Sequence, residues 1–95
     1  MLAVIATLRT KEGMGAEFEA VFAKLQAAVR ANEPGNKLYQ LTKPVEGENV
    51  YKVLEIYENQ EAVEAHRAST HFKELGAALG PYMAGRAEIE RLETL

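Results

Sequence analysis

Apolar residues recur along the chain with two different periods, and the change of period marks out its elements. Residues Leu2 to Leu8 form a short, β-branched apolar run with little alternation, the pattern of a strand covered on both faces. Lys11-Glu12-Gly13 reads as a turn, with Gly13 or Gly15 as a weak N-cap for a helix beyond it. From Met14 to Ala31, the residues Met14, Phe18, Val21, Phe22, Leu25 and Val29 share one side of that predicted helix. Glu17 and Glu19 near its start and Arg30 near its end match the helix dipole, and Asn32, Pro34 and Gly35 stop it. At about 1.5 Å per residue such a helix spans roughly 27 Å, the length of a strand of about eight residues.

Two further runs, Lys37 to Lys43 and Val50 to Glu58, flank a link punctuated by Pro44 and Gly47 and read as a hairpin. In the second run Tyr51, Val53 and Tyr57 fall on one face and Val50, Leu54 and Ile56 on the other. One layer of helices covers only one face of an antiparallel sheet, so the second apolar face predicts burial against another sheet. In a chain of 95 residues that sheet is expected to come from a second copy, which makes a homodimer. After Asn59 the pattern is helical again, with Ala62, Val63 and His66 on one side, and it breaks at Ala68-Ser69-Thr70. Ser69 then caps a second short helix that carries Phe72, Leu75 and Leu79 inward and ends at Gly80-Pro81. Ala84 to Leu95 sets Ala87, Ile89 and Arg91 against Glu88, Glu90 and Leu92, a charged alternation suited to an edge strand. The order β-α-β-β-α-α-β is that of a ferredoxin-like α+β domain, one domain over residues 1–95.

Composition narrows the function classes. Apolar residues make up 47% and charged residues 26%, which fits a globular domain and not a disordered tail. No apolar run approaches a membrane span and no secretory signal is visible, so no membrane association and a cytoplasmic location are expected. Without cysteine there is no disulfide, thiolate nucleophile or cysteine metal site. A net charge of −3 with interspersed signs offers no footprint for a phosphate backbone, so nucleic acid is not expected as a partner.

The element order, Glu33-Pro34-Gly35 after the first helix, Glu55-Ile56-Tyr57-Glu58-Asn59 at the hairpin's end and Glu64 to Phe72 together resemble the antibiotic biosynthesis monooxygenase family. The most specific piece is His-x-x-Ser-x-His-Phe from His66 to Phe72, at the corner between two helices. The resemblance covers nearly the whole chain. It implies a ferredoxin-like dimer whose two sheets pack into an α+β barrel, and a spread of functions: cofactor-free oxygenation of aromatic quinols or anthrones, haem degradation, and handling of small signalling molecules. Two positions depart from the pattern. Tyr57 stands where many members carry tryptophan, and Gly76 where haem-degrading members place their iron ligand, so haem degradation is not expected.

His66, one turn beyond Val63, is either a core histidine bonded to a backbone carbonyl or a proton acceptor at a pocket. His71, in the first turn after Ser69, lies where the helix dipole favours a neutral ring able to accept a proton, though that place also suits a surface residue. A metal site is not expected: the two histidines stand five positions apart across a helix break, with no third ligand in view. Tyr51, Tyr57 and Tyr82 are either core-edge residues or the walls of a pocket for a planar, oxygen-bearing ligand, with Phe22 and Phe72 as apolar lining. Arg86 offers a cation for an anionic oxygen, or a solvated charge; Asn59 offers a donor to a phenolate, or a turn residue.

The leading expectation is a monooxygenase without metal or organic cofactor, acting on a small aromatic of the quinol or anthrone type, with His66 or His71 as base. Once ionised, such a substrate itself gives an electron to oxygen, so the protein must bind it, take its proton and exclude water. The rival is a dimeric small-ligand-binding or stress-response protein without turnover.

Overall fold

The computed structural model describes residues 1–95. The elements are β1 (Leu2–Arg9), α1 (Gly15–Asn32), β2 (Asn36–Thr42), β3 (Val50–Tyr57), α2 (Gln60–Ala68), α3 (Thr70–Leu79) and β4 (Glu88–Glu93), with a 3-10 turn over Gly80–Tyr82. The order and nearly every boundary agree with the periodicity. The sheet is antiparallel throughout with strand order β2-β3-β1-β4, so β4 is the expected edge. No helix is long and apolar enough to cross a membrane.

The α1 stripe behaves as its spacing dictates. Phe18, Phe22, Leu25 and Val29 are buried against the sheet and α3, each removal from water contributing roughly 1.5–3 kcal/mol. The N-cap differs from expectation: Met14 occupies it without a side-chain bond, while Gly13, at φ 79°, makes the turn that leads in. At the other end the α1 residue after the last turn is Glu33, whose N–H donates to the Val29 carbonyl. Ser69 caps α3 in the expected way and Asn59, read as a turn residue or a ligand donor, caps α2, their side chains accepting from the N–H groups of Phe72 and Ala62. The last strand is shorter than the alternation suggests. After an isolated bridge between Met83 and Thr10, Gly85, at φ 108°, interrupts the pairing and the strand runs only from Glu88, so Arg86 lies before the strand rather than in it.

Register assigns the two faces. Tyr39, Glu55, Val4 and Arg91 form one row across β2, β3, β1 and β4 on the side facing the helices, followed by Leu41, Val53, Ala6 and Ile89. On the other side Leu38, Ile56, Ala3 and Leu92 line up, with Leu54 and Ile5 in the next row. Within a single chain nothing covers this second face, and Leu38 and Leu54 each keep 37% of their surface exposed.

Candidate functional site

A cavity of about 370 Å³ lies between the sheet and the helices, and the rows of the sheet divide its floor. One end is apolar, made by Leu8, Phe22, Leu25, Val53, Leu79 and Met83. The other gathers Glu55 and Tyr57 from β3, His66 and Arg67 from α2, and Arg91 from β4. Few convergent polar groups in an apolar recess is the usual make-up of a small-molecule site.

His66 is almost wholly buried, ringed by Tyr39, Tyr57 and Phe72 at centroid distances of 5.2, 5.6 and 4.6 Å. Its Nδ1–H donates to the Glu33 carboxylate at 2.9 Å, and His71 donates to the same oxygen through Nε2 at 2.5 Å. Three helix ends therefore converge on one carboxylate: Glu33 leaves α1, His66 lies in the last turn of α2, and His71 opens α3. With Nδ1 engaged by Glu33, Nε2 is the His66 nitrogen available to a ligand. Burial holds the His66 pKa below its ordinary value, against the opposing pull of Glu33, so the ring is neutral near pH 7 and can accept a proton.

Glu55 is a buried carboxyl on the cavity floor, and its one side-chain partner is the Tyr57 hydroxyl, which donates at 2.6 Å. Desolvation outweighs that bond, and the nearby Glu33 charge adds to it, pushing the Glu55 pKa up to about 7. The Tyr57 and Tyr39 hydroxyls are pushed well above the ordinary tyrosine value, by desolvation first and then by Glu55, and stay protonated.

Of the residues singled out from the sequence, His66, Tyr57, Phe22 and Phe72 come together at this cavity. The others lie elsewhere. His71 contacts Glu33 behind the cavity wall, and Asn59 spends its side-chain oxygen on capping α2. Tyr51 points to the far end of the sheet, where its hydroxyl donates to Glu19 at 2.6 Å; burial and that bond raise its pKa. Tyr82 packs against the core at the end of β1, and Arg86 is exposed on the approach to β4, outside the lining. Arg67 and Arg91 supply the cavity's cations instead.

Glu33 and Glu55 are the groups that sequence reasoning missed. Glu55 left one trace, a charge on the strand face otherwise made of Tyr51, Val53 and Tyr57. Glu33 also corrects the expectation that no third ligand joins the histidines: one carboxylate and two imidazoles, with donor atoms all within 4.8 Å, form a set of the kind that ligates metals. The contacts are nevertheless those of hydrogen bonds. Through them Glu33 holds His66 by Nδ1, at 3.1 and 2.9 Å to its two oxygens, and fixes the orientation of the ring. Gly76, also on the wall, offers no side chain to an iron.

Fold and cavity together define a ferredoxin-like α+β domain with a largely apolar cavity between its sheet and helices. Residues 1–78 match the family model described as antibiotic biosynthesis monooxygenase, and the chain belongs to that family. A Caulobacter crescentus protein carrying the same family description superposes with a TM-score of 0.95 at 48% identity, over 99% of this chain and 89% of that one. A Nitrosomonas europaea protein with this description has a TM-score of 0.91 at 18% identity, covering 100% and 99%. SnoaB, a cofactor-independent oxygenase from Streptomyces nogalater, has a TM-score of 0.83 at 22% identity, covering 98% and 91%, a likeness of fold. No curated protein matches the chain.

Proposed function

We propose that this chain is a cofactor-independent monooxygenase of small aromatic molecules of the quinol or anthrone class, working as a homodimer. The observation that carries the reading is the buried His66, held by Glu33 through Nδ1 and facing a largely apolar cavity. A neutral imidazole in that setting takes a proton from an acidic ring hydroxyl or activated methylene. The resulting anion passes one electron to dioxygen, and the radical pair combines to form a C–O bond. Loss of the second hydrogen and cleavage of the O–O bond leave a carbonyl in the product and one water. Phe22 and Phe72 flank the ring, and the Tyr57 hydroxyl, whose hydrogen goes to Glu55, leaves its oxygen to accept from a ring hydroxyl. The family membership and the fold shared with SnoaB support the reaction class.

The dimer is inferred from the row of Leu38, Ile56, Ala3 and Leu92, continued by Leu54 and Ile5, a face that a second sheet would bury. The binding-protein reading draws on Asn59 and His71, two candidate polar groups engaged in structural contacts. Oxygen-electrode measurements with a panel of quinols and anthrones, in chelator-treated buffer, separate the two. Uptake by the parent protein, reduced about 100-fold or more in His66→Ala, is the expected result. Ligand binding without uptake would establish the binder instead.

A further inference from the structure

Glu55 is a buried carboxyl with far more hydrogen-bonding capacity than its surroundings use. Two carboxyl oxygens offer about four acceptor positions, yet only the Tyr57 hydroxyl occupies one. Buried polar groups are ordinarily satisfied, so the remaining capacity is turned to the cavity that Glu55 lines. The groups around it are Tyr39 on β2, Tyr57 on its own strand, Arg91 two strands away across Val4, and His66 and Arg67 overhead on α2. None of them forms an ion pair with it, and the nearby Glu33 disfavours its ionised form. With a pKa near 7, a substantial share of Glu55 carries its proton at neutral pH, while burial keeps His66 neutral. The cavity thus holds a base without its proton and an acid with one, two groups whose environments push them to opposite roles.

We infer that Glu55 is a second catalytic residue, the acid that protonates the departing oxygen when the substrate hydroperoxide collapses. The inference rests on the oxygenase reading. After C–O bond formation, the proton first taken by His66 completes the hydroperoxide. His66 then removes the remaining hydrogen from the oxygenated carbon, the electrons of that C–H bond form the carbonyl, and the O–O bond breaks. The leaving hydroxide takes the Glu55 proton and departs as water, and the proton now on His66 replaces the one Glu55 gave. One dioxygen and one methylene become one carbonyl and one water, with neither residue consumed.

The Glu55→Gln variant tests this, because an amide oxygen still accepts the Tyr57 hydroxyl but the side chain transfers no proton. The expected result is anaerobic ligand affinity within about threefold of the parent, carbonyl product formed about 100-fold more slowly, and substrate hydroperoxide accumulating. His66→Ala should form no hydroperoxide at all. Carbonyl product at the parental rate, with no accumulation, would overturn the assignment while leaving the oxygenase reading intact. Absence of uptake by the parent would overturn both. A measurement independent of turnover is the infrared carbonyl stretch of a protonated carboxyl in the ligand-bound protein at pH 6, expected in the parent and absent in Glu55→Gln. Finding Glu55 ionised at that pH would equally end the proposal.

Discussion

At the scale of single residues, the site's behaviour is set by how burial and Glu33 act on its titratable groups. Glu55 binds its proton up to about pH 7 when folded but only to about 4.5 when unfolded. Between those values the native state holds more protons, so the Glu55 contribution to stability is fully present below pH 4.5 and is lost as pH rises through 7. The loss is on the order of 3 kcal/mol for a shift of that size. Urea unfolding of the parent and Glu55→Gln from pH 5 to pH 8 should show the parent losing stability relative to the variant; parallel curves would contradict the shift. His66 has the opposite sign. Its depressed pKa leaves stability intact above the unfolded value of 6.5 and erodes it as pH falls through that value toward the lower folded one. Because the Glu33 bond and charge both raise the His66 pKa against burial, Glu33→Gln should lower it further. A histidine NMR titration that finds it unchanged or raised would show that Glu33 does not hold the ring.

At the scale of elements, the short segment from Glu33 to Gly35 sets the geometry of the site. Glu33 reaches two helices, and Gly35 lets α2 come so close that a Cβ at that position would stand 2.7 Å from the Ala62 Cβ. The Gly35 carbonyl also accepts the Glu58 N–H at the end of β3. Gly35→Ala must therefore displace α2 and with it His66, costing about 1–3 kcal/mol in unfolding free energy. Equal stability with unperturbed His66 resonances would refute this. Ser69 ties the corner from both sides, accepting from Phe72 N–H and donating to the His66 carbonyl at 2.7 Å. Its replacement by alanine should cost about 1 kcal/mol by the same measurement. Elements of this kind are legible in the sequence because their signals are local: the α1 stripe, the Ser69 cap, and the alternation in β3. Glu33 and Glu55 are not. Glu33 meets its partners 33 and 38 positions away, and although Glu33-Pro34-Gly35 carries part of the family resemblance, nothing in that segment says what the carboxylate will bond. The alternation sets Ala87, Ile89 and Arg91 on one face, the face that lines the cavity, but it puts Arg86 at the start of β4, whereas the turn at Gly85 moves that start to Glu88. Such a shift depends on backbone geometry that the charge pattern does not carry.

At the scale of the molecule, two faces of one sheet have separate duties. The inner face floors the cavity, and the outer face leaves Leu54 and its apolar neighbours uncovered within the chain, the surface that the proposed homodimer would bury. A charge placed there should split the pair without disturbing the core, so Leu54→Glu is expected to sediment as a folded monomer where the parent sediments as a dimer. A parent that is monomeric at micromolar concentration would leave the outer face unexplained. The reaction itself is tested most directly by supplying dioxygen in heavy-isotope form and weighing the product by mass spectrometry. The expected result is one labelled oxygen atom in the product carbonyl and the other in water. Unlabelled product accompanied by labelled hydrogen peroxide would mean that electrons pass to oxygen without its insertion, contrary to the roles assigned to His66 and the cavity.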